Sequence, residues 1–228
     1  LHPERLDEPL SWRKPRFIFV CSMSDLFHED VPDAYILAVW QVMADTPRHT
    51  YLVLTKRPER MAEFVARLSH EDWHMYLDNP LGLHAPVPNV WLGVSVEDQA
   101  TADERIPLLL QTPAAKRFVS VEPLLEPISL SCLSSGLNAL TGRRIVWQGN
   151  VVLSVVQEWP KLDWVIIGGE SGPKARAMEI DWLASIVQQC QTAQVPVFVK
   201  QASGPRPGQW GNIPENLRIR EWPTTERN

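Results

Sequence analysis

Serine and carboxylate pairs closing short apolar runs are the first chemistry this chain offers. Val90-Trp-Leu-Gly-Val-Ser-Val-Glu97 and Arg117-Phe-Val-Ser-Val-Glu122 both end in Ser-Val-Glu. Strand side chains alternate faces, so Ser95 and Glu97 point one way, as do Ser120 and Glu122. Two acids facing one pocket could act as base and acid, or could grip an amine or sugar hydroxyls. The structural alternative is that each acid pairs with Lys56, Arg57 or Lys200 to tie strand ends together. Repetition of the motif favours a functional role.

The other apolar runs end in similar groups. In Cys21-Ser-Met-Ser-Asp-Leu-Phe-His28, Ser22, Ser24 and Asp25 form either a substrate-binding turn or one that satisfies backbone amides. Leu54-Thr-Lys-Arg-Pro58 sets Thr55, Lys56 and Arg57 before a helix start, which suits a phosphate or carboxylate. A desolvated Lys56 could instead form a Schiff base. In Ile167-Gly-Gly-Glu-Ser-Gly-Pro173, Gly168 and Gly169 let a ligand or another backbone come close beside Glu170. Val199-Lys-Gln201 adds a cation, Lys200, and an amide, Gln201.

Metal chemistry finds little support in the residues. His28 has no second histidine at ligand spacing. Cys21, Cys132 and Cys190 are odd in number and far apart, so they fit neither a disulfide framework nor a metal knuckle. Cys21 alone lies near the proposed site, and one thiol cannot hold an iron–sulfur cluster. Cys190 falls on a helix core face and is expected to be inert.

Six short runs read as strands: Arg16–Ser22, Tyr51–Lys56, Val90–Glu97, Arg117–Glu122, Trp164–Gly168 and Val197–Gln201. Their near-continuous apolar character is that of strands covered on both faces. Helical patterns separate most of them. Asp30 is expected to cap a helix with Pro32 in its first turn and Tyr35, Val39, Val42 and Met43 on its apolar face. Pro58 opens a second, with Met61, Phe64, Val65 and Leu68 together; Gln99–Leu110 and the stretch around Leu183, Ile186, Val187 and Cys190 follow.

Strands alternating with helices imply an α/β fold with a parallel sheet. Six strands are too few for a closed eight-stranded barrel. No Gly-rich dinucleotide fingerprint follows any strand, which counts against a doubly wound nucleotide fold. The expectation is a partial, TIM-barrel-like (β/α) barrel of about six strands that lacks its first unit or units. It is read as one domain over residues 1–228, with insertions at about 70–88 and 127–162 and an irregular strap over 202–228. The run Ile145–Val156 is expected to be a hairpin, and Trp210 and Trp222 to anchor the strap.

Bulk properties exclude several classes. The 228 residues are 44% hydrophobic and 21% charged, with a formal net charge of −5. No overall basic field advertises nucleic acid, so general nucleic-acid binding is not expected. No signal peptide or long apolar span appears, and the chain reads as cytoplasmic with no membrane partner.

Taken in order, Ser22–His28, Leu54–Arg60, Val90–Glu97, Phe118–Leu125 and Trp164–Gly172 resemble a phage-associated bacterial family of unknown function. Val197–Gln201 and Leu217–Glu221 continue the likeness, which runs from about Pro15 to the C-terminus and leaves Pro127–Leu162 mostly uncovered. Members of that family usually begin with three closely spaced cysteines. This makes them similar to radical S-adenosylmethionine proteins on a partial β/α barrel. The resemblance implies an iron–sulfur cluster and S-adenosylmethionine as cofactors of the intact family. It implies cofactor-binding roles for Ser95, Glu97, Ser120, Glu122, Gly168, Gly169 and Glu170. The substrate set would be Ser22, Ser24, Asp25, Thr55, Lys56, Arg57, Lys200 and Gln201.

No such cysteine segment precedes Leu1, so the chain is read as a truncated piece that binds neither cofactor and is inactive alone. The similar Gly-Gly-Glu motif of the radical S-adenosylmethionine superfamily sits early in the barrel, whereas Gly168-Gly-Glu170 follows a late strand. Two other readings stand beside this one. The first is a cluster-independent lyase or hydrolase using Lys56 or Lys200 with the glutamates. The second is a phage-related binding module with local contacts at Arg143-Arg144 and Arg218–Arg220. An exposed sheet edge would favour a homo-oligomer.

Overall fold

The structure, a computed structural model, describes residues 1–68, 85–144, 146–148, 151–153 and 159–224. The principal strands are β1 (Phe17–Val20), β2 (Thr50–Thr55), β3 (Val90–Val96) and β4 (Lys116–Val121), followed later by β9 (Trp164–Gly168) and β10 (Val197–Gln201). Between β4 and β9 lie four short strands: β5 (Leu137–Asn138), β6 (Arg143–Arg144), β7 (Val146–Gln148) and β8 (Val151–Leu153). The helices are α1 (Glu8–Ser11), α2 (Asp33–Asp45), α3 (Pro58–Leu68), α4 (Gln99–Gln111) and α5 (Ile180–Ala193).

One sheet of six parallel strands runs β1-β2-β3-β4-β9-β10. Spatial order follows chain order with no reversal, which is the winding of a partial β/α barrel; a doubly wound sheet would reverse at a switch point. The four short strands form two antiparallel pairs outside this sheet, β5 with β6 and β7 with β8. The second pair is the expected hairpin; residues 145, 149–150 and 154–156 of that run lie outside the described residues, as do 70–84 of the first expected insertion. Among the described residues no helix is long and apolar enough to cross a membrane.

The chain divides into two compact units, Leu1–Val94 with Gln111–Lys116, and Ser95–Leu110 with Arg117–Asn228. In the first, β1, β2 and β3 pair in parallel, from Phe17 opposite Thr50 to Thr55 opposite Val94. Helix α3 buries Pro58, Met61, Phe64, Val65 and Leu68, the face its spacing predicts. Helix α2 differs from expectation in two ways. Pro32 is its N-cap in place of Asp30, and the buried face is Ile36, Val39, Trp40, Val42 and Met43, with Tyr35 only half-buried. The physical reason is aromatic packing: Trp40 meets Phe27 at 6.0 Å and Phe64 at 5.3 Å, which rotates the helix toward its tryptophan. Strand β1 is less covered than its sequence implies, with Phe17 50% and Phe19 40% exposed.

In the second unit, β4 pairs β9 from Phe118 opposite Trp164 to Val121 opposite Ile167, and β9 pairs β10. One face carries Val119, Val121, Val165, Ile167, Val197 and Val199, all fully buried. The other carries an aromatic layer: Trp164 lies 6.1 Å from Phe118, 5.9 Å from Phe198 and 4.8 Å from Trp222. Helix α5 buries Leu183, Ile186, Val187 and Cys190, as the sequence spacing predicts. Burial pushes the Cys190 thiol up to about 12, so it stays protonated and unreactive.

Apart from one 3-10 turn at Glu215–Leu217, the C-terminal strap is irregular. It still pairs with the sheet. Val199 donates its N–H to the Ile219 carbonyl at 2.8 Å, and Glu221 donates to Val197 at 3.0 Å. An antiparallel bridge joins Phe198 to Arg220, so the strap covers part of the outer edge of β10. Trp222 anchors it against Trp164 and Phe198, while the Trp164 Nε1–H donates to the Glu221 carbonyl at 2.9 Å.

Candidate functional site

Parallel strands deliver their last residues to one edge of a sheet, and the candidate residues follow β1, β2, β3, β4, β9 and β10 in turn. They form two sets, one in each unit.

In the first unit Asp25 is a hub. Its carboxylate accepts from the Phe27 N–H at 2.9 Å, the Thr55 hydroxyl at 2.8 Å, the Lys56 N–H at 3.0 Å and Arg57 Nη1 at 3.0 Å. The aspartate therefore fastens the turn after β1 to the end of β2. Its side chain is 14% exposed, and its oxygens are already occupied by the chain's own donors. Ser22 and Ser24 are exposed in a turn closed by the Ser24 N–H to the Cys21 carbonyl at 2.9 Å. Thr55 is buried, and its oxygen also accepts the Arg57 N–H at 2.9 Å.

Arg60 was not singled out by its sequence. It donates to the Phe27, His28 and Val31 carbonyls and pairs with Asp33 at 2.8 Å. Arg67 reaches the same carboxylate at 2.7 Å. Burial alone would raise the Asp33 carboxyl, but the hydrogen bonds of Arg60 and Arg67 hold it below its ordinary value.

The second unit gathers three acids and their cations. Glu97, just past β3, pairs with Arg105 of α4 at 3.2 Å, with side chains 13% and 14% exposed. Arg105 also donates to the Ser95 carbonyl at 2.7 Å. Ser95 itself is buried, 3.4 Å from Glu97 and 3.5 Å from the Glu122 carbonyl. Asp98 caps α4 by accepting the Thr101 N–H at 2.7 Å, which fixes the start of the helix two residues after Glu97.

Glu122, just past β4, pairs with Lys200 of β10 at 3.0 Å and accepts from Ser120 at 3.3 Å. Strand β9 lies between those two strands, and Gly168 ends it. A Cβ on Gly168 would sit 2.6 Å from Glu122 Oε1 and 2.9 Å from its Cδ and Cγ. The missing side chain is the gap through which the carboxylate reaches Lys200. The lysine meets it because β10 bulges there: Val199 pairs Ile167 and Gln201 pairs Gly168, leaving Lys200 as the extra residue.

Glu170 accepts from the Arg176 N–H at 2.8 Å, from Nε at 2.8 Å and from Nη2 at 3.0 Å. These bonds, the side-chain ones foremost, lower its carboxyl from 4.5 to about 2. The Arg176 guanidinium is held above its ordinary value by the Glu170 hydrogen bonds, with the charges of Glu170 and Glu97 adding to them. Gly169 is closed off by the strap: a Cβ there would lie 2.2 Å from the Ser203 nitrogen. Gln201 is buried, donating to the Gly169 carbonyl at 2.9 Å and accepting the Gly208 N–H at 2.8 Å. Both ends of its amide thus hold backbone.

The acids therefore pair, one of them as the strand-tie alternative expects. Lys200 is the partner of Glu122, while Glu97 and Glu170 take Arg105 and Arg176. The glycine pair admits Glu122 and Ser203, the chain's own atoms. Within the second unit this leaves three carboxylates past successive strands, each paired with one cation, from α4, from β10 and from the segment after β9. Such a row can hold a ligand bearing both hydrogen-bond donors and an acidic group.

Compared with known proteins, the chain matches over residues 1–220 the family described as a protein of unknown function, DUF5131. It belongs to that family. No curated protein and no solved structure matches it. Membership agrees with the sequence resemblance as far as a family of unknown function.

Donor sets for an iron–sulfur cluster are a separate matter. Among the described residues no group of three or more His, Cys, Asp or Glu side chains is placed to hold a metal. Cys190 is buried and kept protonated, and Cys132 is an exposed single thiol. These residues do not fit a four-iron cluster.

Proposed function

We propose that the strand ends of the second unit bind a small zwitterionic ligand for a phage-related, radical S-adenosylmethionine-like protein. The carrying observation is the Glu122–Lys200 pair, drawn together across β9 by Gly168 and the bulge at Lys200. The bulge at Lys200 and the gap at Gly168 bring the lysine onto the carboxylate, a pairing that the strand-tie alternative shares. What favours binding is that both groups face solvent. Lys200 is 50% exposed and Glu122 19%, so the pair is reachable from solvent.

In this reading Glu97, Glu122 and Glu170 accept hydrogen bonds from amine and hydroxyl groups, and Lys200 and Arg176 meet a carboxylate. Ser95 and Ser120 position the acids. S-adenosylmethionine, which bears an amine, a carboxylate and ribose hydroxyls, is the candidate the resemblance supplies. When bound to a cluster it supplies radical chemistry. The described residues hold no such cluster, and their role is binding and orientation. Lys200 is engaged by Glu122 and in this reading meets a carboxylate in place of forming a Schiff base.

Equilibrium dialysis of the folded chain against labelled S-adenosylmethionine tests this reading. Binding is expected, weakened at least tenfold by Glu122→Gln and by Lys200→Met, with circular dichroism unchanged. No binding by folded protein, or binding that neither variant alters, overturns it.

A further inference from the structure

The second unit carries a separate feature that the strand ends do not use. On the strap, Arg218 and Arg220 converge on one indole, their guanidinium carbons 5.9 and 4.6 Å from the Trp210 ring centre. Arg220 also lies 5.5 Å from the Phe198 ring, which in turn packs edge-on against Trp222 at 5.3 Å. Arg220 is thus held between Trp210 and Phe198, and Phe198 passes the contact on to Trp222 along the outer side of β10. Both arginines are exposed, and Trp222 is 47% exposed.

These arginines are held by stacking on a ring, as Arg16 is on Trp12 and Arg144 on Trp159; what sets them apart is that two of them share one indole. Six other arginines, Arg5, Arg57, Arg60, Arg67, Arg105 and Arg176, are ion-paired with acids. Among the described residues Arg218 and Arg220 have no such pair. Arg218 donates to the Ile213 carbonyl at 3.0 Å, and the nearby Glu221 carboxylate is engaged by the Val197 N–H at 3.1 Å. Stacking on an aromatic face orients a guanidinium while leaving its edge donors available for an anion. Backbone pairing of the strap with β10 through residues 219 and 221 holds the array in place before any ligand arrives.

We infer that this face of the strap binds single-stranded nucleic acid. Arg218 and Arg220 flank Ile219, whose carbonyl pairs with β10, and both guanidiniums stand over the Trp210 ring, where they can meet neighbouring backbone phosphates. Trp222 offers an exposed ring on which an unstacked base can lie. A duplex keeps its bases stacked and offers the ring nothing. An acidic peptide would use the arginines and leave the tryptophan without a role. The contact is local, in keeping with a chain whose net charge is −5.

Fluorescence anisotropy with a labelled oligothymidylate of about fifteen nucleotides tests the inference on the full chain. Binding is expected to weaken with salt, to quench tryptophan emission, and to exceed binding of a duplex of equal length. The doubly substituted R218Q/R220Q protein should lose roughly 1.4 from the log–log salt slope, about 0.7 for each phosphate contact. Trp222→Ala should weaken binding roughly tenfold. Trp222 also packs on Trp164 and Phe198, so Trp222→Leu, which keeps an apolar anchor and lacks a flat ring, should weaken it as much. Full binding by Trp222→Leu overturns the stacking role. Three results overturn the inference: no salt-dependent binding, binding that the arginine variant leaves unchanged, or equal competition by polyglutamate. The readout does not depend on S-adenosylmethionine, so it stands or falls apart from the strand-end reading.

Discussion

The carboxylate of Glu122 occupies the space in which a side chain on Gly168 would begin, 2.6 Å from the position of that absent Cβ. Through that gap it reaches Lys200 at 3.0 Å. Gly168 is therefore selected for what it omits and not for backbone freedom.

Gly168→Ala tests this directly. The new methyl must displace Glu122, so a loss of about 1–3 kcal/mol is expected in urea denaturation, as for other overpacked sites. In the double variant Gly168→Ala/Glu122→Ala the obstructing carboxylate is gone, and its stability should exceed the sum of the single losses by more than about 0.5 kcal/mol. Additive losses would show that the glycine serves something other than Glu122.

The ion pair of Glu97 with Arg105 is more enclosed, and one-sided removal should cost more. Arg105→Met leaves Glu97 without its guanidinium and the Ser95 carbonyl without its donor. A loss of about 3–5 kcal/mol is expected. Replacing both partners by methionine should recover most of it, because no buried charge is then left behind. A double variant as unstable as the single one would place the cost in lost packing, not in charge.

How much of this was legible in the sequence follows from the range of each interaction. The strands and helices show in local patterns, because a buried strand reads as an apolar run and α5 repeats its buried residues at helical spacing. The shift in α2 toward Ile36 and Trp40 does not, since Phe27 and Phe64, which set it, come from other elements. The acids at the strand ends were visible, and so was Lys200. Arg105 and Arg176 were missed although they lie only eight and six residues from their partners. Their pairing depends on how the chain turns after each strand, and no residue period reports that. The two glycines predict close approach of a ligand or another backbone, and at Gly169 it is backbone that comes close. Their actual neighbours, Glu122 and Ser203, are brought there by strand register and by the folded-back strap, which are long-range features.

Acid should release the Glu170–Arg176 pair in a defined window. The carboxyl falls from 4.5 to about 2 on folding, so its contribution is complete above 4.5 and is lost as pH drops toward 2. Carboxyl carbon NMR should find Glu170 titrating near 2 in the native protein. Arg176→Gln should return it toward 4.5, with backbone amides of 170–176 changing together. The side chains are 30% and 60% exposed, so added salt should weaken the shift. A Glu170 that titrates at its ordinary value in the unsubstituted protein would show that the pair does not persist in solution.

The strap's pairing with β10 predicts how the protein fails when it is removed. Ending the chain after Arg218 deletes the Ile219 acceptor of the Val199 N–H, the Glu221 contacts and the Trp222 ring. Strand β10 would then present unpaired backbone groups beside an aromatic surface in which Trp164 had been only 2% exposed. Edge pairing between copies is the expected result. Light scattering after size exclusion should show association that increases with concentration, and proteolysis should cut within 202–213 more readily. Ending the chain after Thr224 keeps every one of these contacts and should leave the association state as it was. If both truncations behave alike, the strap is dispensable to the edge, and its two backbone hydrogen bonds are too weak to protect β10.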